Sequence, residues 1–306
     1  MINIQLERLW YRLFQYNQSK YADYIIKNGF SSKYLRMELK ILALYYRDKG
    51  MPPKKRKAIL YEMCNKYIEG FNRVNFFKLI NSVVTYSSNK KNKLIDIDHI
   101  LVTSTSLNYI DNLDVDYLCK KLLFGFIVFD KLGKVKWTIE NEKESNNEHF
   151  FANNPSSYRN LTKSLSINKS VLRKYGYQKI YEVTHYLISK RLLEDTINNT
   201  KLLFLYNIPI DDDISIEIKN YDNVGLYYDL HSGTKNVKKC ENCSVPIKVK
   251  SNRTKYCQEC SQEKVRENWR NSKRKNRFPQ LEKSQNRWHT RFSAFIGQNV
   301  YMKRKM

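Results

Sequence analysis

No apolar run in this chain is long enough to cross a bilayer. The longest, Leu122 to Phe129, contains Gly125 and falls well short of the ~20 residues that a membrane helix needs. The start, Met1-Ile2-Asn3-Ile4, lacks a basic region followed by an apolar stretch, so no secretory signal is expected. Neither a glycine-rich phosphate loop nor a Gly-x-Ser-x-Gly elbow occurs. The 5 histidines are scattered and none lies between Cys243 and Cys260, which argues against a histidine-rich nuclease built on that segment. These absences point to a soluble intracellular protein with no membrane partner.

Acidic residues are also in the minority. Lysine and arginine total 55 against 30 aspartates and glutamates, a formal charge of +25, which favours a polyanionic partner, nucleic acid first. An AT-rich coding background would raise lysine, asparagine, isoleucine and tyrosine together, and accounts for part of that excess. It does not account for the clustering: Thr234 to Met306 holds 20 lysines plus arginines and 5 glutamates.

Four of the 6 cysteines form two pairs, Cys240-Glu-Asn-Cys243 and Cys257-Gln-Glu-Cys260. A Cys-x-x-Cys turn aims two sulfurs at one metal, and two such turns complete a closed tetrahedron, so the spacing predicts one structural zinc ion with no open position for water. In a reducing compartment paired cysteines read as metal ligands rather than disulfides. The segment between the pairs reads as a hairpin and the segment after Cys260 as a helix, together a treble-clef or ribbon-like unit. Arg266, Arg270 and Arg274 share one face of that helix; Val265 and Trp269, on an adjacent face, are expected to pack on the zinc hairpin. Arg253, Lys255, Lys264, Arg266, Arg270, Lys273, Arg274 and Arg277 are the expected phosphate contacts. Cys64 and Cys119 sit in apolar helical patterns and read as core.

Lys239 to Lys275, with its four cysteines and the Asn252-Arg-Thr-Lys-Tyr-Cys257 approach, resembles a C-terminal zinc-finger module of phages, plasmids and integrative elements of low-GC Gram-positive bacteria. The resemblance covers residues 238–277. It implies a mobile-element setting in the cytoplasm of a bacterial host and nucleic-acid binding, without implying one reaction.

Upstream, helical periodicity runs through residues 3–88: a first helix over Leu6, Leu9, Trp10, Leu13 and Phe14; a second capped by Ser31 or Ser32 and stopped at Gly50; a third opened by Pro52 and Pro53 and ending at Gly70; a fourth over 75–87. Lys54-Lys55-Arg56-Lys57 opens the third, as a solvated face or a phosphate contact. A polar linker spans 89–93. Strand-like runs at 94–102, an apolar helix at 114–131, a strand at 134–139 and a polar loop at 140–155 follow. Helices are then expected near 156–165, 168–174 and 177–191, and a hairpin over Leu192–Leu205 turning at Asn198-Asn199. Helices followed by a hairpin is the order of a winged helix, with Lys163, Lys169, Arg173, Lys174 and Lys179 as cations, against an ordinary α/β domain with basic helices. Residues 207–232 are acidic and are expected to face away from nucleic acid.

The fold expected is mainly α with an α+β centre: a helical domain over 1–92, a winged-helix-like domain over 93–232, a zinc finger with basic helix over 233–278 and a basic tail over 279–306. Trp288, Phe292 and Phe295 in that tail suit base stacking or docking on the body. The function expected is nucleic-acid binding, DNA before RNA, in replication or transcription control, without catalysis. Two alternatives stand beside it. One is a docking factor or inhibitor of a polymerase or host defence ribonucleoprotein. The other is a magnesium-dependent nuclease or primase-like enzyme using Asp96 and Asp98, which an alternating strand would place on one face beside His99.

Overall fold

The structure is a computed structural model and describes residues 16–31, 34–209 and 213–273. The first expected helix, over Leu6 to Phe14, lies outside them, as do the basic tail and its aromatics. The chain divides into two compact units, residues 1–234 and 235–306.

The first unit is mainly helical. Four helices come first: α1 (Gln18–Asn28), α2 (Leu35–Asp48), α3 (Pro53–Tyr67) and α4 (Arg73–Ser88). Their ends follow local chemistry. Pro53 stands at the first position of α3, where a missing N–H costs nothing. Gly50, at φ +78, ends α2, with its amide on Arg47 O and the Met51 amide on Tyr46 O, a Schellman closure that a side chain at Cβ would strain. Ser31 does not cap α2. Its backbone amide instead donates to both carboxylate oxygens of Glu38, at 3.1 and 3.0 Å, and the buried Glu38 also accepts from Tyr21 Oη at 2.6 Å. Burial pushes the Glu38 carboxyl up, against the pull of these donors. Tyr21, Ile25, Leu39, Leu42, Leu60, Cys64 and Ile80 form this bundle's apolar core.

A second core follows, around the long helix α6. The elements are β1 (Ile100–Thr103), α5 (Ser104–Asp111), α6 (Tyr117–Asn141), β2 (Phe150–Ala152), α7 (Pro155–Ser164), α8 (Lys169–Lys174), α9 (Ile180–Ser189), β3 (Glu194–Asp195), β4 (Asn199–Lys201), a 3-10 turn at Leu203–Asn207, β5 (Ile214–Ile218), a second at Tyr221–Asn223, and α10 (Val224–His231). Asp116, Asn154 and Asn168 cap α6, α7 and α8 through their side chains, as short polar residues before an apolar run do. Phe124, Phe126, Leu161, Leu165, Leu187 and Phe204 are buried here. Cys64 and Cys119 are buried thiols, and burial pushes them up to about 11 and about 12.

Two expectations are corrected in this unit. Lys134 to Ile139 is helix, not strand. Val135, Trp137 and Ile139 alternate, but no breaker interrupts α6, and Gly133 is tolerated, so the helix runs on until Glu142 turns left-handed at φ +54. The polar loop 140–155 contains β2, which pairs with β4 (Phe151 opposite Thr200), while β3 pairs β4 on its other side, giving the order β2-β4-β3. Within the acidic segment β5 pairs antiparallel with β1 (Ile100 opposite Ile218) and α10 packs on α6. There Lys121 Nζ lies 2.6 Å from Asp229 Oδ1, both side chains nearly buried, and Tyr117 Oη donates to the same oxygen at 2.5 Å. Gln18 N donates to Ile95 O and Ile97 N to Tyr16 O, lacing the first described residues to the segment before β1.

The second unit contains β6 (Val237–Lys239) and β7 (Pro246–Lys248), an antiparallel pair, and a final helix, α11, described over 258–273. Among the described residues no helix is long and apolar enough to cross a membrane.

Candidate metal centre and cationic surfaces

The second unit is built around sulfur. Strands β6 and β7 pair Lys238 with Ile247 and Lys239 with Pro246, so the first cysteine pair occupies the hairpin's own tip. The expected hairpin between the two pairs is therefore misplaced: it encloses the first pair. The reason is local. Cys240 N donates to Val245 O at 2.9 Å and Ser244 N to Cys240 O at 3.0 Å, with Ser244 left-handed at φ +59, and this turn leads the chain straight back along β6. The second pair sits at the start of α11. Cys257 takes the capping position, its sulfur accepting from the Cys260 amide at 3.4 Å, as a serine or aspartate oxygen does at other helix starts.

The four sulfurs lie within 4.8 Å of one another, and Cys243 Sγ and Cys257 Sγ are 3.7 Å apart. A tetrahedron with metal–sulfur bonds of about 2.3 Å has edges of about 3.8 Å, so the donor set fits a single tetrahedral metal ion. Second contacts orient the ligands. The Cys257 amide donates to Cys240 Sγ at 3.2 Å and Asn242 Nδ2 to Cys260 Sγ at 3.3 Å, as hydrogen bonds around a metal centre do. The same geometry frustrates four bare thiols. Burial raises Cys240, but the amides of Cys243, Cys257 and Asn242 outweigh it and bring this thiol down to about 6. Burial and the neighbouring sulfurs push Cys257 and Cys243 up. A divalent cation is what lets four adjacent thiolates coexist. Among the described residues, Ile247 and Tyr256 pack with the cysteines in this small core.

The expected phosphate contacts are distributed as follows. Arg253 and Lys255 lie exposed in the turn before Cys257, and Lys255 Nζ is 3.9 Å from Glu241 at the surface. Every residue from 261 to 273 is exposed. Lys264 lies over the Tyr256 ring at 4.7 Å and Lys273 over Trp269 at 3.7 Å. Among the described residues Arg266 and Arg270 form no ion pair, although Glu259, Glu263 and Glu267 share their helix. Val265 and Trp269 do not pack on the hairpin: they are 65% and 60% exposed. Arg274 and Arg277 lie outside the described residues.

In the first unit Arg173 and Lys174 are exposed at the end of α8, with Lys174 over the Tyr175 ring at 5.7 Å. Lys163 and Lys169 are exposed on α7 and α8, and Lys179 at the start of α9. Helix α9 itself carries no lysine or arginine; its exposed side shows Tyr181, Glu182 and His185.

Asp96 and Asp98 are both exposed, on either side of the buried Ile97. Asp96 accepts from both the amide (2.9 Å) and the hydroxyl of Ser19 and so closes the first turn of α1, while His99 faces Glu217 at 3.5 Å. Among the described residues the four cysteines are the only cluster of three or more metal-type ligands. Histidines that showed no partner in the sequence do have one in space: His149 Nδ1 lies 2.8 Å from Asp130 Oδ2 and His231 Nε2 lies 2.7 Å from Asp111 Oδ2. Both bonds join segments that only the fold brings together, so spacing carried no signal for them. Compared with protein-family models, with curated proteins and with solved structures, the chain finds no match in any of the three.

Proposed function

We propose that this protein binds nucleic acid, DNA in preference to RNA, through a zinc-stabilised C-terminal module, and that it serves replication or transcription control in a phage or other mobile element. The observation that carries this reading is α11. It starts on a metal-ligand cysteine and then leaves residues 261–273 exposed, with Lys264, Arg266, Arg270 and Lys273 among them. The four-thiolate donor set and its edge length favour zinc, bound structurally. A hairpin tip giving two ligands and a helix start giving two is the arrangement of a treble clef. Affinity would come from counterion release as arginine and lysine meet phosphates.

The centre of the first unit supports the same reading. The order α6, β2, α7 to α9, β3, β4, with the early strand beside the last one, is that of a winged helix. The hairpin tip projects Ile197, which is 98% exposed. In this reading Arg173, Lys174 and Lys179 flank the duplex while α9 approaches the groove.

The test is a salt series on duplex DNA, single-stranded DNA and RNA, with an Arg266→Glu/Arg270→Glu variant beside the wild type. A steep salt slope that the variant loses supports the proposal; wild-type protein that holds one metal per chain and binds none of the three overturns it. The exposed Val265 and Trp269 favour a second reading, in which α11 docks on a polymerase or ribonucleoprotein. Under it, Val265→Ser/Trp269→Ser would abolish association while salt-sensitive DNA binding persisted.

A further inference from the structure

The two basic runs of the helical region, Lys54 to Lys57 and Lys90 to Lys93, are far apart in sequence and meet in the fold. Arg56 reaches from the first turn of α3 to Ser88, the last residue of α4, with Nη2 donating to Ser88 Oγ at 2.7 Å. Arg47, near the end of α2, donates to the carbonyls of Ser87, Asn89 and Asn92 at 3.2, 3.2 and 2.7 Å. The loop after α4 is thereby pinned against the start of α3, and Lys54, Lys55, Lys90 and Lys91 all remain exposed.

The charge here is unbalanced from beneath as well as above. Arg56 is 2% exposed, and its Nε has no hydrogen-bond partner. Buried cations ordinarily have a carboxylate beside them, yet residues 47–57 and 87–93 contain one carboxylate, Asp48, which pairs with Arg47 at 2.9 Å. Glu142 reaches only Lys93. The carbonyl end of α4 offsets part of the Arg56 charge. At the other pole, α3 has no side-chain cap and no acid in its first turn, so its outward amides add positive potential where Lys54 and Lys55 already stand. α11 mixes three glutamates among its cations; here the acids are Asp48 and Glu142, paired with Arg47 and Lys93.

We infer that this end of the helical bundle is a second phosphate-binding surface, separate from the metal-bearing unit, which takes a nucleic-acid backbone through Lys54, Lys55, Lys90 and Lys91. The inference rests on the nucleic-acid reading above and adds a contact that reading does not use. Binding would not be sequence-selective, since the surface offers point charges and backbone amides rather than groups aimed at base edges.

The test compares full-length wild-type protein, the variant Lys54→Gln/Lys55→Gln/Lys90→Gln/Lys91→Gln, and Arg266→Gln/Arg270→Gln, on one duplex from 50 to 300 mM salt. All four lysines are exposed, so circular dichroism melting should be unchanged. Each lost phosphate contact flattens the slope of log K against log salt by about 0.9, so the lysine variant should be shallower by about 3 to 4. Loss of slope in the lysine variant alone supports this surface and removes α11 as the grip. Loss in the arginine variant alone overturns the inference and leaves the proposed function standing. Wild-type protein that binds no nucleic acid overturns both. An unchanged slope on DNA with weakened retention on polyglutamate assigns the surface to an acidic protein and refutes the inference.

Discussion

Stripping the metal should unfold residues 235–273 and leave the first unit folded. The magnitude follows from how little else holds this segment. Among the described residues, apart from its cysteines, this unit buries Pro246 and Ile247 and half-buries Tyr256. Burying a side chain the size of isoleucine contributes about 1.5–3 kcal/mol, while fixing the backbone costs about 1–2 kcal/mol for each residue ordered. Two short strands cannot offset that cost. A structural zinc ion contributes an apparent 10–16 kcal/mol or so at neutral pH, enough to decide the outcome. The assay is amide hydrogen exchange with and without a strong chelator. The amides of Cys240, Glu241 and Val249, bonded to Val245, Lys255 and Asn236 at 2.9, 3.1 and 2.8 Å, should lose protection on chelation. Amides in α2 and α6 should keep theirs. Because thiolate ligands take up protons as metal leaves, acidification should produce the same selective loss. If the Cys240 and Val249 amides stay protected in metal-free protein, the module is held by something other than metal and the argument fails.

Three further outcomes test the first unit. Asp229→Ala strands Lys121 in a nearly buried site and should cost about 3–5 kcal/mol, whereas Lys121→Met/Asp229→Leu should be close to neutral; urea midpoints of the two variants separate a missing charge partner from a packing loss. Gly225→Ala puts a methyl 2.5 Å from the Leu165 carbonyl oxygen and 2.7 Å from Leu165 Cα, backbone atoms that cannot step aside, so it should destabilise by about 1–3 kcal/mol; a thermal melt equal to wild type would contradict this. Asp96→Ala removes the acceptor for Ser19 and should cost about 1 kcal/mol, in the range of a helix cap. A loss of Mg²⁺- or Mn²⁺-dependent cleavage or polymerisation in that variant, with stability unchanged, would restore the enzymatic alternative.

How much was legible depended on the range of the cause. The gathering of Cys240, Cys243, Cys257 and Cys260 was readable because Cys-x-x-Cys is a statement about one turn. Pro53 at the start of α3 and Gly50 at the end of α2 were readable for the same reason: each acts within a turn of its own position. Lys134 to Ile139 misled because alternation over six residues is also what a half-exposed helix shows when nothing breaks it. The strand within the acidic segment was not legible because composition does not reveal pairing. Ile214 to Ile218 became a strand only by finding β1, more than a hundred residues away.

The sequence by itself determined the four-cysteine cluster, the helical character of the first half and the cationic balance, since these follow from local spacing, periodicity and charge. Tertiary structure alone decided which charges meet. It seated Lys121 on Asp229 and used Asp96 to hold Ser19. It also set the loop of Lys90 and Lys91 beside Lys54 and Lys55 over a buried Arg56. Electrostatic and hydrogen-bond energies depend on distance and burial, and neither quantity exists until the chain has packed.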